Sequence, residues 1–85
     1  MYTFSDLVFE PISENSHIQK ASLTFKNGYG CNIYKYSPYT NEGNPYEFEL
    51  TMNGIKTFNN NISDDNIGYC TEEDIEDLIK IAQKL

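Results

Sequence analysis

Basic side chains are scarce in this sequence of 85 residues. It contains six lysines, no arginine and one histidine, against thirteen acidic residues, and its formal net charge is −7. Affinity for nucleic acid depends on basic side chains that displace counterions from the phosphates. We therefore expect that the protein does not bind nucleic acid directly.

The single histidine, His17, limits the available chemistry. No second histidine can complete a metal site with it, and no base stands near an obvious nucleophile. A calcium loop starting at Asp64 is disfavoured, because its twelfth residue is Ile75 where such loops need glutamate. We expect no metal, no cofactor and no catalytic residue, so the protein is predicted not to be an enzyme. His17 itself is predicted to lie on the surface at the start of a strand.

Cysteine and long apolar runs are also sparse. Cys31 and Cys70 are 39 positions apart and stand in no CxxC or Cys/His cluster, so both are predicted to be free thiols in the core. No segment approaches the roughly 18 apolar residues of a membrane span, and the first residues lack the pattern of a secretion signal. We expect a soluble protein of the cytoplasm that does not contact a membrane.

Aromatic side chains, in contrast, are plentiful. Seven tyrosines and five phenylalanines make up 14% of the chain, which is too much for a disordered acidic segment because each ring can bury a large area. The length suits one domain with a thin core. We predict a single domain over residues 1–85.

The segment "FKNGYGC" predicts the register of a first hairpin. A three-residue loop over Lys26–Gly28 pairs Phe25 with Tyr29 and keeps the apolar positions of both strands on one face, whereas a two-residue loop does not. Gly28 is then expected in the left-handed backbone region. No helix follows the two glycines, so the segment is predicted to be a turn, not a phosphate-binding loop.

A second hairpin is predicted around Asn53-Gly54. The preceding residues alternate from Tyr46 to Met52, which points Glu47 and Glu49 to solvent. A two-residue loop pairs Met52 with Ile55, and a three-residue loop pairs Phe48 with Phe58. The sequence leaves both registers open.

The C-terminal segment carries consistent helix signals. Thr71 is the expected N-cap, with Asp74 at the capping-box position, and the apolar residues after it recur at helical spacing as far as Leu85. A helix from Thr71 to about Lys84 should pack on the sheet. We predict an α+β fold, with an antiparallel sheet of about four strands and one C-terminal amphipathic helix.

Two surfaces are candidates for binding a partner. The first is an acidic run, which is either a solvated helix face matched to the helix dipole or a surface that occupies a basic groove in place of phosphates. Its residues are Asp64, Asp65, Glu72, Glu73, Asp74, Glu76 and Asp77. The second is a tyrosine group, which either caps the small core or forms an interface. Its residues are Tyr34, Tyr36, Tyr39 and Tyr46.

Four segments, "FSDLVFEP", "FKNGYGCNI", "PYEFEL" and "NIGYCTEEDIEDLI", resemble a group of small, mostly uncharacterised proteins encoded by tailed phages. That group has an aromatic-x-Asp-Leu opening, an NGYG turn after a strand, a Tyr-Glu pair in a later strand and a Gly-Tyr-x-Thr-Glu-Glu-Asp run into a final helix. Cys31, Cys70 and the tyrosine-rich connection from Pro38 to Pro45 depart from this pattern. The resemblance brings no catalytic residues.

This resemblance implies a phage protein that acts in the host cytoplasm by binding a host protein. The expected function is an anti-defence inhibitor, in which the acidic surface competes with nucleic acid on a CRISPR-type nuclease or complex. The alternative is a sponge that sequesters a nucleotide-like immune signal, which would need Lys20, Lys26 and Lys35 to cluster. We expect a monomer or a homodimer.

Overall fold

The computed structural model describes residues 1–14, 16–36, 44–63 and 65–85. Tyr39 and Asp64, from the two candidate surfaces, lie outside these ranges. Within the described ranges the chain forms a 3-10 helix at Phe4–Asp6, six strands and one α-helix, α1, at Glu72–Gln83. The strands are β1 (Glu10–Pro11), β2 (Ile18–Thr24), β3 (Tyr29–Tyr36), β4 (Tyr46–Met52), β5 (Ile55–Lys56) and β6 (Ile67–Cys70).

The strands form one antiparallel sheet in the order β1-β2-β3-β4-β5, with β6 also paired to β4. The predicted α+β class is confirmed, but the prediction of about four strands was too low. The additional strands are β1 and β6, which are two and four residues long. Unlike β5, which is also short, neither is joined to its partner by an Asn-Gly turn, and each forms through pairing with a longer strand.

The first hairpin has the predicted register throughout. Leu23 pairs with Cys31, and the Phe25 amide donates to the Tyr29 carbonyl at 2.7 Å. Gly28 has φ 89°, in the left-handed region where glycine is favoured. The neighbouring Asn27 side chain donates to the carbonyls of Ala82 and Leu85 at the end of α1, so this turn also supports the helix.

The second hairpin adopts the first of its two open registers. Met52 pairs with Ile55 around a two-residue loop in which Asn53 and Gly54 both have positive φ. Phe48 pairs with Ile67 of β6 instead of Phe58. β5 and β6 therefore share the second edge of β4, at opposite ends of that strand.

The helix begins and ends close to its predicted limits, and it covers one face of the sheet. Ile75, Ile79 and Ala82 are fully buried against the inward-facing side chains of the central strands. Those side chains include Leu23, Cys31, Ile33, Phe48 and Leu50. No helix in the described residues is long and apolar enough to cross a membrane.

Both cysteines are free and buried, as predicted. Burial raises the pKa of the Cys31 thiol to about 12, so the thiol stays protonated and unreactive at neutral pH. His17 is exposed immediately before β2, which confirms its predicted position at a strand start.

The N-terminal segment closes one side of the core. Phe4 and Phe9 pack against Tyr46, with ring centroids 5.4 and 5.7 Å away. Gln83 of α1 fixes the start of this segment, because its side chain accepts from the Tyr2 amide at 2.7 Å and donates to the Tyr2 carbonyl at 2.8 Å. The segment is thereby held between the sheet and the helix.

Candidate protein-binding surface

The acidic run contains two carboxylates that stabilise the fold. Asp74 completes a capping box, in which its Oδ2 accepts from the Thr71 amide at 2.9 Å and its own amide donates to Thr71 Oγ1 at 3.0 Å. Glu76 Oε2 accepts from the Phe4 amide at 2.6 Å. Glu76 is therefore committed to holding the N-terminal segment.

Asp65 is separated from the helix acids by its own partners. Its Oδ1 accepts from the Asn66 amide at 2.7 Å and lies 3.6 Å from Lys56 Nζ. The amide hydrogen bond, followed by the Lys56 charge, lowers the pKa of Asp65. This exposed carboxylate is partly neutralised by lysine, which weakens its contribution to an acidic surface.

Among the acids of the run that the structure describes, Glu72, Glu73 and Asp77 have no partner. All three are exposed on the first two turns of α1, and none has a hydrogen bond or ion pair to any residue that the structure describes. Their position on a capped helix fixes the backbone that carries them. These three residues, which we call the free carboxylates, are available to a partner.

The tyrosine group does not form one surface. Tyr34 and Tyr36 lie on the sheet face away from α1, and Tyr34 pairs with Lys20. Tyr46 lies on the helix-facing side and is only 7% exposed, in contact with Phe4 and Phe9. Tyr46 is therefore a core residue.

The two outward tyrosines are held by glutamates of the neighbouring strand. Tyr34 donates to Glu49 Oε1 at 3.3 Å, and Tyr36 donates to Glu47 Oε1 at 3.4 Å. Partial burial, followed by the nearby Glu49 or Glu47 charge, raises the pKa of each phenol. Both hydroxyls thus remain protonated donors at neutral pH.

The same glutamates anchor a wider polar network on this face. Asn66 donates to Glu47 Oε2 at 3.2 Å and to Glu49 Oε2 at 3.4 Å, and Asn32 donates to Glu49 Oε1 at 2.8 Å. Ser22 donates in turn to Asn32. Glu47 and Glu49 do point away from the helix, but they are half-buried and hydrogen bonded, so they are less available to solvent than the alternation predicts.

Tyr69 is a prominent surface residue that the sequence reasoning missed. β6 contains an extra residue opposite β4, because Tyr46 pairs with Cys70 and Phe48 pairs with Ile67. In this irregularity Tyr69 has φ 54° and is 72% exposed. The preceding Gly68 is the only sequence signal for a bulge, and it does not indicate that the tyrosine takes the left-handed conformation.

Two open depressions meet at Tyr69. One, of about 260 Å³, is bounded by the sheet edge and includes Tyr36, Pro45 and Glu47. The other, of about 360 Å³, lies between β6 and the start of α1 and includes Asp74, Asp77 and Leu78. Gly68 and Tyr69 line both, so Tyr69 belongs to a depression that contains Glu47 of the sheet and to one that contains Asp74 and Asp77 of the helix.

The pKa of the Cys70 thiol is affected by negative charge in this region. Its pKa is raised first by burial and then by the charges of Asp74 and Glu47. These two carboxylates come from different elements, yet both act on one site next to Tyr69. The structure thus joins part of the predicted acidic run to an edge of the tyrosine-bearing face.

A third depression, of about 450 Å³, lies at the helix start. Glu72 and Glu73 line it together with Lys35, Pro45 and Tyr46. Lys35 Nζ lies 5.8 Å from the centre of the Tyr46 ring, so this lysine of the depression is placed over an aromatic face. The three depressions surround β6 and the N-terminus of α1, and we call this region the β6–α1 surface.

The lysines that a nucleotide sponge would need are spread over the molecule. Lys20 lies on the face away from α1, Lys35 lies on the helix side beside Tyr46, and Lys26 lies in the first hairpin turn. Lys26 lies two residues beyond the end of β2, and the extended part of the chain from Lys20 to Thr24 alone spans about 13 Å. Lys20 and Lys26 form no joint binding site for a phosphate.

No cluster of three or more His, Cys, Asp or Glu side chains in the described ranges could hold a metal ion. No family model, curated protein or solved structure matches the chain.

Proposed function

We propose that this chain is a non-enzymatic, phage-encoded inhibitor that binds a host defence protein, such as a CRISPR-type nuclease or its complex. Its β6–α1 surface occupies a basic groove that otherwise holds nucleic acid. The observation that carries this proposal is the set of free carboxylates, Glu72, Glu73 and Asp77, fixed on a capped helix beside an exposed aromatic residue.

The arrangement suits a groove that binds phosphates. Glu73 and Asp77 are one helical turn apart, which places their Cβ atoms about 6 Å from each other. Such a repeat of negative charge on a rigid element can pair with the lysines and arginines that neutralise a nucleic-acid backbone. The phage origin and the type of target rest on the sequence resemblance described above.

The proposal is tested by comparing two double variants with the same change in charge. Glu72→Lys/Glu73→Lys reverses two charges of the β6–α1 surface, and Glu10→Lys/Glu14→Lys reverses two exposed charges near β1. Reversal next to the helix N-terminus costs about 0.3–1 kcal/mol per residue in stability. Urea unfolding should therefore verify that both variants are folded.

The tagged wild type and both variants are passed through a lysate of the bacterial host at low and high salt. We expect the wild type and the Glu10/Glu14 variant to retain a basic, nucleic-acid-binding protein at low salt, and the Glu72/Glu73 variant to lose it. The purified partner should then release labelled nucleic acid when the wild-type protein is added.

Two results would contradict the proposal. One is a partner that binds the Glu72/Glu73 variant as tightly as the wild type. The other is a nucleotide released by heating the captured sample in the absence of any protein partner, which would favour the sponge.

A further inference from the structure

Tyr69 is held in an unfavourable conformation that leaves its ring exposed. A tyrosine with φ near 54° is uncommon, and holding a non-glycine residue in this region costs free energy that the rest of the fold must offset. Its side chain is 72% exposed and makes no hydrogen bond or ring contact with the residues that the structure describes. A large aromatic side chain exposed in this conformation points to a contact outside the chain.

The surroundings of the ring specify the chemistry of that contact. The depression between β6 and α1 is lined by Tyr69 together with the acidic residues Asp74 and Asp77 and the apolar residue Leu78. Only Oδ2 of Asp74 is used by the capping box, and Asp77 is a free carboxylate. No lysine is among the described residues that line this depression.

These three features together match an arginine side chain. A guanidinium group stacks on an aromatic face and donates to carboxylates in a forked geometry, while its aliphatic stem packs on apolar groups. Lysine offers a more strongly hydrated point charge and lacks the planar fork. The charge of the depression thus favours a basic partner, and the ring favours arginine within it.

We propose that Tyr69 is the anchor of the partner interface, and that it binds an arginine side chain of a protein partner between its ring and the carboxylates of Asp74 and Asp77. This inference rests on the proposed function and names the group that the β6–α1 surface recognises. The pairing of β6 with β4 fixes the backbone that carries Tyr69 before the partner arrives, which reduces the entropy lost on binding.

The test uses a short oligoarginine peptide as the probe and two variants of the anchor. Tyr69→Phe keeps the ring, and Tyr69→Asn removes it while placing a residue that tolerates positive φ. Affinity is measured by titration of isotope-labelled protein, monitored through backbone amide resonances. Urea unfolding of each variant reports stability separately.

We expect the resonances of residues 67–70, Asp74 and Asp77 to shift, and Tyr69→Phe to bind within about twofold of the wild type. Tyr69→Asn should bind about fivefold more weakly or worse, with an unfolding midpoint equal to or above that of the wild type. Oligolysine of the same length should bind more weakly than oligoarginine. Equal binding of the two peptides would overturn the assignment to arginine.

The Glu72→Lys/Glu73→Lys variant separates this inference from the proposed function. If Tyr69→Asn binds the peptide like the wild type but the Glu72/Glu73 variant does not, the anchor is refuted and the acidic surface stands. If neither variant weakens binding, both proposals fail.

Discussion

Gly30 shows how closely the sheet is packed at one residue. A Cβ atom at this position would lie 2.3 Å from the Leu23 carbonyl oxygen and 2.9 Å from Thr51 Oγ1. The neighbouring strands therefore leave no room for any side chain. Gly30 also pairs with Thr24 of β2, so it lies within the sheet where the backbone of β2 approaches it closely.

Gly30→Ala should destabilise the protein by about 2 kcal/mol or more, since backbone must move to admit the methyl group. Gly68→Ala is the matched control, because nothing lies within 4 Å of the Cβ it would gain. Its effect should stay within about 0.5 kcal/mol. Urea unfolding measures both, and equal midpoints for wild type and Gly30→Ala would show that the strands can separate here without cost.

At the scale of elements, the helix and the N-terminal segment depend on each other. Glu76 accepts from the Phe4 amide and Gln83 binds the Tyr2 backbone, while Phe4 packs on Tyr46 beneath the segment. The helix thus supplies hydrogen-bond partners to backbone groups that no strand satisfies. Loss of either partner should loosen the segment before it affects the sheet.

Glu76→Ala should cost about 1.5–3 kcal/mol, because it removes a charged acceptor from a half-buried amide, and it should speed hydrogen exchange at Phe4. Asp77→Ala removes the next carboxylate, which has no partner in the described chain, and should change stability by less than about 0.5 kcal/mol. Native-state hydrogen exchange with both variants checks this. Unchanged exchange at Phe4 in Glu76→Ala would mean that the aromatic contacts alone hold the segment.

The elements also show what the sequence could and could not predict. The first hairpin and α1 follow from local signals, namely alternation up to the Asn27-Gly28 turn and a capping box at Thr71, and the structure confirms both. The pairing of Phe48 with Ile67 joins residues far apart in sequence. A local pattern could therefore not predict that β5 and β6 share one edge of β4. The sequence did not decide the register of the second hairpin, because only two residues of β5 pair with β4 and they provide too short a pattern.

The candidate site was predictable only in part, for the same reason. Composition identifies the acidic run, but whether a carboxylate is free depends on distant partners, such as the Phe4 amide for Glu76. The sequence also grouped Tyr46 with Tyr34 and Tyr36, although pairing places it on the opposite face. Tyr69 carries no local signal for a positive φ, so its exposure could be seen only in the fold.

Across the whole molecule, charge is unevenly distributed along the helix axis. Glu72 and Glu73 lie at the start of α1, whereas Lys84 lies at its end next to the turn that holds Lys26. The twelve residues of α1 separate these ends by about 18 Å. We therefore expect the molecule to orient its β6–α1 surface toward a positively charged partner or resin.

Ion exchange tests this asymmetry without a biological partner. Both double variants, Glu72→Lys/Glu73→Lys and Glu10→Lys/Glu14→Lys, change the formal net charge from −7 to −3. We expect the Glu72/Glu73 variant to elute from a cationic resin at lower salt, because it removes clustered charge, while Glu10 lies opposite Lys20. Elution at the same salt would show that total charge, not its position, governs adsorption.

The left-handed tyrosine of β6 has a consequence for how this chain tolerates mutation. In a library of all residues at position 69, selection for abundance alone should enrich glycine and asparagine, which accept φ 54° at least cost. Selection for attachment to the target should enrich tyrosine and phenylalanine instead. The two selections would then favour different residues at position 69. Under the proposed function, the tyrosine found there indicates that selection for attachment has been the stronger of the two.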